Sequence, residues 1–182
     1  MESQRAKRMK RGAGVAAVLS LGGVALATAT AVANDGAGHA WATLENVDGD
    51  TVGFAKFTED ATGTMHVNVH ASGMSPGLHG IHVHGVGSCG SSRGAFSDAD
   101  SHHNPGARPH GAHAGDLPNF TVNGAGRGRL NATLEHFTLA DEAAILDANG
   151  SALVVHAKPD DFRSQPTGDS GARIACGVIH SG

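Results

Sequence analysis

His82 and His84 stand one residue apart in the run GIHVH (80–84), so in an extended segment both imidazoles project from one face while Ile81 and Val83 project from the other. Two imidazoles on one face can chelate a single metal ion. Farther along, His102, His110, His113 and Asp116 form the pattern H-x7-H-x2-H-x2-D, a nitrogen and carboxylate set suited to a tetrahedral zinc ion. His156 closes the apolar run SALVVH (151–156) and can complete a second, nitrogen-only site of the kind copper favours. A lone histidine is more often a hydrogen-bonded or surface residue than a ligand. Here the chain carries 13, six of them beside strand ends or in one acidic loop, and the cluster outweighs that bland reading.

Such side chains need a framework, and the composition points to a turn-rich β domain. Glycine supplies 27 of 182 residues, about twice its usual share, with only 6 Pro and no collagen period. Short alternating runs broken by Gly, Asn and Asp predict strands over 41–47, 51–57, 64–71, 80–84, 119–123, 127–134, 151–156 and 173–179. Asp48-Gly49-Asp50 and Asn123-Gly124 mark two hairpin turns. One short stretch, 140–147, reads as helical. Eight strands in some 140 residues predict an all-β sandwich or closed barrel. Two long segments, 85–118 and 157–172, are left as loops, and loops of that length in a compact domain are usually functional.

The first 33 residues are of a different kind. Arg5, Lys7, Arg8, Lys10 and Arg11 precede an uncharged stretch from Gly12 to Ala33 that ends in Ala31-Val32-Ala33, the layout of a cleaved secretory signal peptide. The expected organisation is a signal peptide over 1–33, a short linker over 34–40 and one domain over 41–182, exported to the cell envelope or medium, with no stable membrane insertion after cleavage. Removing the leader leaves 8 basic and 16 acidic residues in 34–182, a net charge near −8, which argues against a nucleic-acid partner. In an oxidising compartment Cys89 and Cys176 are expected to pair as a disulfide, two buried free thiols being the alternative.

Five motifs together resemble the bacterial, secreted type of copper/zinc superoxide dismutase: GIHVHGVGSC (80–89), HHNP (102–105), HAGDLPN (113–119), LVVHAKPDD (153–161) and GARIACGVI (171–179). The resemblance spans about 41–180. It implies an eight-stranded Greek-key β-barrel with two long functional loops and a chain that converts superoxide to oxygen and hydrogen peroxide. It makes His82, His84, His102 and His156 copper ligands, with His102 bridging to zinc and His110, His113 and Asp116 completing the zinc site. It makes Cys89–Cys176 an intrasubunit disulfide, Arg173 the residue that attracts and orients superoxide, and Asp160 the carboxylate linking a copper-side to a zinc-side histidine. Family members differ in oligomeric state, which leaves a homodimer open. A non-catalytic, copper-buffering module on the same fold is the alternative, but such a relative would typically lack a copper ligand or the arginine, and all are present.

Some positions depart from the family pattern. His103 stands where an aromatic residue is usual, so either member of the 102/103 pair could bridge; Asn104-Pro105 favours His102. Only two residues separate His110 from His113, a shorter gap than usual, and 161–173 lacks the acidic and basic pattern of the eukaryotic guiding loop. Lys158 and Arg163 are candidates to add positive field beside Arg173. His79 is expected to bond backbone, His66 and His70 to be ordinary face residues, and the sequons at Asn119, Asn131 and Asn149 to be chance matches.

Overall fold

A computed structural model describes residues 38–140 and 144–182. The expected signal peptide and the first residues of the expected linker lie outside these. Ten strands occur among the described residues: β1 (Gly38–Asn46), β2 (Thr51–Glu59), β3 (Met65–Ala71), β4 (Gly77–His79), β5 (Ile81–His84), β6 (Phe120–Val122), β7 (Gly128–Leu134), β8 (Ala152–His156), β9 (Arg173–Val178) and β10 (His180–Ser181). The two strands beyond the expected eight, β4 and β10, fall just outside the expected ranges 80–84 and 173–179. β4 and β5 are one extended run broken at Gly80, and β10 continues β9 after Ile179.

The strands form one antiparallel sheet in the order β4-β6-β7-β3-β2-β1-β9-β8-β5, with β10 on β1. Its two ends, β4 and β5, are joined through Gly80, so the sheet curls into a nearly closed barrel. β1, β2 and β3 form a meander. The chain then crosses to β4 and β5, returns as the β6–β7 hairpin to pair β7 with β3, and crosses again to place β8 and β9 between β5 and β1. These crossings make the Greek key.

Alternation drives the packing. Leu44, Phe57, Met65, Val67, Val69, Ile81, Val83, Phe120, Leu153 and Val155 point into the barrel and are fully buried there. The opposite face of β8 and β9 is buried as well: Ala152 and Val154 of β8 and Cys176 of β9 meet Phe96 and Ala99 from the loop after β5. The first hairpin turns as expected, with Gly49 at φ 84° and the Asn46 Oδ1 accepting from the N–H groups of Asp48 and Asp50. The second also turns where expected, with Asn123 and Gly124 as its first two residues. Its positive φ sits at Gly126, and Asn123 closes the turn by accepting from Ala125 and Arg127.

The helical reading of 140–147 does not hold over its described part. Ala144 pairs in parallel with Thr138, and Ile145 donates its N–H to the Thr138 carbonyl at 3.0 Å. Burial decides against local propensity here, because Ile145 is fully buried in the core that also holds Phe137. Among the described residues only Ser97–Ala99 is helical, as one 3-10 turn. The two long loops, 85–119 and 157–172, both cover the outer face of β5 and β8.

Candidate metal centre

The outer face of β5 carries the site. Ile81 and Val83 enter the core, so period-two alternation turns His82 and His84 outward beneath the 85–119 loop. That loop is laced to the strand by its backbone: His103 donates its N–H to the Val83 carbonyl, Gly115 to the His103 carbonyl, and Val83 to the Gly115 carbonyl, each at 2.8 Å. At Gly115 a Cβ would come within 2.2 Å of the Val83 oxygen, so no larger residue permits this approach. The lacing fixes the register of the 102/103 pair. His102 falls opposite His84, and His103, although buried, enters neither donor cluster.

The clusters are His82, His84, His102 and His156, and His102, His110, His113 and Asp116; within each, the donor atoms lie within 4.8 Å of one another and all the residues are buried. In the second cluster Asp116 Oδ1 lies 2.9 Å from His102 Nδ1, 3.4 Å from His110 Nδ1 and 3.3 Å from His113 Nδ1, while His113 Nδ1 lies 3.4 Å from His102 Nδ1. A tetrahedron of N and O atoms about 2.0–2.1 Å from a zinc ion has an edge of about 3.3–3.4 Å, so these donors already stand at nearly the right separations. The first cluster is nitrogen only. His82 Nδ1, His84 Nε2, His102 Nε2 and His156 Nε2 are buried without a hydrogen-bond partner among the described residues. Each such group costs about 1–3 kcal/mol if left unpaired, and four converging lone pairs are satisfied together by one cation. The donor sets therefore fit copper in the first cluster and zinc in the second.

The opposite nitrogens are occupied. His82 Nε2 donates to Asp160 Oδ2 at 2.7 Å, His110 Nε2 to Asp160 Oδ1 at 2.9 Å, His84 Nδ1 to the Asp100 carbonyl at 2.8 Å and His156 Nδ1 to the Gly171 carbonyl at 3.1 Å. Each bond places the proton on the outer nitrogen and aims the lone pair of the other into the cluster. His102 alone turns one nitrogen into each cluster. The short His110–His113 connection is braced by Asp116, whose Oδ2 accepts from the N–H groups of Gly111 (2.8 Å) and His113 (3.1 Å) and leaves Oδ1 for the cluster.

Three supporting residues escape a sequence reading. Asn119 donates to the Asp160 carbonyl and accepts from its N–H, at 2.9 and 2.7 Å, so one of the chance sequons is a clamp on the linking carboxylate. Gln165 accepts from the His110 N–H at 2.8 Å and donates to its carbonyl at 3.2 Å. Gly168, at φ 66°, lies so close that a Cβ would come 1.9 Å from Asp160 Oδ1 and 2.5 Å from His110 Nε2. Their only signal is spatial, since each acts on a residue far away in the chain. His79 behaves as expected, with Nδ1 2.7 Å from the His156 carbonyl and Nε2 2.9 Å from that of Ser75.

Burial pushes the imidazoles down: His82 to about 4, against the opposing pull of Asp160, His156 to about 3, and His84 and His113 below the ordinary value. They are therefore neutral at physiological pH, the state in which an imidazole can donate to a metal ion. For Asp116, burial acts upward, but the His102 hydrogen bond and the neighbouring histidines outweigh it and hold the carboxyl at about 2. Asp160 is likewise held well below the usual carboxylate range, the bonds from His82 and His110 overcoming its burial.

Arg173 stands at the mouth. Its guanidinium donates to the Phe96 carbonyl at 2.6 Å and to the Asp100 carbonyl. Both acceptors have positive φ, 54° and 63°, at the two ends of the 3-10 turn, and Phe96 is in the left-handed helical region. The Cys89–Cys176 disulfide ties this loop to β9, with 5.7 Å between the Cα atoms. Beside Arg173 opens a cavity of about 500 Å³, lined by Arg93, Asp100, Thr167, Gly171 and Ala172 among others. Asp100 and Gly171 are the residues whose carbonyls hold His84 and His156, so this cavity lies beside the supports of the nitrogen-only cluster. The second cation on its wall is Arg93, which the sequence did not single out. Of the two expected helpers, Lys158 faces Asp169 at 3.6 Å, and neither Lys158 nor Arg163 lines the cavity.

Comparisons with known proteins agree with this geometry. The profile of the family described as copper/zinc superoxide dismutase matches residues 51–179. A copper/zinc superoxide dismutase of Aquifex aeolicus is 35% identical over 149 residues, covering 77% of this chain and 85% of its own length. One from Arabidopsis thaliana is 38% identical over 144 residues, covering 72% and 84%. Among solved structures, a superoxide dismutase-like protein from Bacillus subtilis superposes with a TM-score of 0.71 at 34% identity, covering 76% of this chain and 96% of its own.

Proposed function

Because the chain belongs to the copper/zinc superoxide dismutase family, we propose that it is an exported superoxide dismutase in which His82, His84, His102 and His156 hold copper and His102, His110, His113 and Asp116 hold zinc. The observation that carries this reading is the convergence of four unpaired ring nitrogens beside an arginine anchored on two carbonyls. When bound, copper supplies the one-electron acceptor and donor, and zinc supplies fixed charge without redox change. Two superoxide anions and two protons become dioxygen and hydrogen peroxide.

The side chains divide the remaining work. Arg173 draws the anion in and orients it, the two carbonyls removing its freedom to swing away. His102 holds both clusters at one spacing, and its Nε2 is the ring atom at which a proton can be kept and released during turnover. Asp160 sets the rings of His82 and His110 together. Loops 85–119 and 157–172 bury the ligands and so limit the access of bulk water to them. Export is supported by the disulfide, which suits an oxidising compartment, and by the leader-like composition of 1–33. Among the described residues no helix is long and apolar enough to cross a membrane.

Elemental analysis of the purified protein, paired with a dismutation assay, tests this reading. About one copper and one zinc per chain with fast turnover is expected. His156→Ala should lose copper and activity while keeping zinc and fold; normal turnover in that variant would refute the copper assignment.

A further inference from the structure

The opposite side of the barrel carries a second feature, distant in the sheet from the metal ligands. A cavity of about 460 Å³ opens where β2, β3 and β7 meet the Asn123–Arg127 turn, lined by Phe54, His70, Ser72, Asn123, Arg127 and Arg129, among others. No Asp or Glu lines it. Phe54, His70 and Arg129 are direct cross-strand partners, and they share the outer face of the sheet. Phe54, 57% exposed, stacks on His70 with ring centroids 5.2 Å apart and planes 18° apart. Arg127 and Arg129 are exposed, and among the described residues neither forms an ion pair.

The face continues beyond the cavity. Lys56 follows Phe54 on the same side of β2, and its partner across β1 is Trp41, 47% exposed. Asn68 and Asn131 complete that row. Exposed aromatic rings thus alternate with cations and amides over four adjacent strands, about 14 Å across at ordinary strand spacing. The acids of this face stand at its margins: Glu45 on β1, Glu135 after β7, and Asp60, which is engaged by Thr62, Thr64 and His66. A protein with 16 acids to 8 bases over 34–182 has gathered three of its cations here, unpaired.

We propose that this face is a binding site for an acidic polysaccharide. Sugar rings lie on Phe54 and Trp41, carboxylates meet Arg127, Arg129 and Lys56, and the amides of Asn68, Asn123 and Asn131 bond hydroxyls. Charge complementarity selects an anionic partner; the reach of the stripe past the cavity selects a polymer over a small anion, and the flat aromatic platforms select a carbohydrate. The proposal is independent of the metal centre.

The test uses the metal-loaded protein and measures binding of alginate oligosaccharides, with neutral dextran and inorganic phosphate as comparisons. Alginate should bind, and more weakly as NaCl is raised. Arg127→Ser/Arg129→Ser and, separately, Phe54→Ser should each weaken binding by about tenfold or more while metal content and dismutation stay at the parent level. Arg129→Gln alone, which keeps a long polar side chain, should weaken it by a smaller factor. The proposal is overturned if alginate does not bind, if dextran binds equally, if inorganic phosphate displaces the polymer stoichiometrically, or if the variants leave binding unchanged. It is equally overturned if sedimentation shows that this face joins two copies of the chain and the double arginine variant separates them.

Discussion

His82 and His110, one from each donor cluster, are bound to opposite oxygens of a single carboxylate, that of Asp160, at 2.7 and 2.9 Å. The two clusters therefore share an outer support as well as the His102 ring. Because Asp160 accepts on both oxygens, Asp160→Asn must turn an N–H2 group toward one of those donors. Affinity for both metals is expected to fall by about 10- to 100-fold, measured by chelator competition, with the barrel still folded. A loss confined to one metal would show that the shared carboxylate does not couple the sites.

Acid should undo the site in a defined window. The folded imidazoles titrate below their ordinary 6.5, with His82 at about 4 and His156 at about 3, so an unfolded chain binds more protons than the folded one across that range. The stability these groups contribute is complete above pH 6.5 and is lost as pH falls toward 4 and 3; for His82 alone it is on the order of 3 kcal/mol. Asp116, at about 2 against 3.8, adds a loss in the same direction below pH 4. Thermal melting of metal-free protein should fall steadily from pH 7 to pH 4, and metal-loaded protein should release both ions over the lower part of that range. A melting temperature independent of pH across this window would contradict the assignment of these rings as buried neutral ligands.

The disulfide closes a loop with a sequence separation of 87 residues. On chain entropy alone, Cys89→Ser/Cys176→Ser should lower stability by about 4–5 kcal/mol in denaturant titration. It should also release the 3-10 turn whose flanking carbonyls hold Arg173, so dismutation should fall more than metal content does. Equal losses of both would mean that the bond serves the ligands and not the arginine.

Arg93 shares the wall of the mouth with Arg173. Reversing its charge with Arg93→Glu should lower kcat/KM by about 2- to 5-fold at low ionic strength, and the difference should shrink as salt is raised. Metal content should not change. A salt-independent loss would place the effect in the fold of the loop.

Local pattern and spatial outcome part at identifiable residues. The outward pairing of His82 with His84 was legible because a strand alternates with period two and Ile81 and Val83 claim the core. So were most strand positions and the two long loops, which Gly, Asn and Asp delimit. The helix expected over 140–147 failed where Ile145 was drawn into the core, since propensity is weak against full burial. Which of His102 and His103 faces both clusters rested on a neighbouring Asn-Pro; the structure decides it through backbone bonds from Val83 and Gly115.

By itself the sequence determined the donor inventory, the faces on which neighbouring donors lie and the all-β class of the domain, because these follow from residue type, periodicity and turn chemistry over a few residues; closure into a barrel is a property of the whole sheet. Only the tertiary structure decided that Asn119 clamps Asp160, that Gln165 holds His110, that Gly168 must lack a side chain and that Arg93 rather than Lys158 stands at the mouth. Those are contacts between loops that meet only after the sheet has closed, and no short-range pattern records which residues will meet.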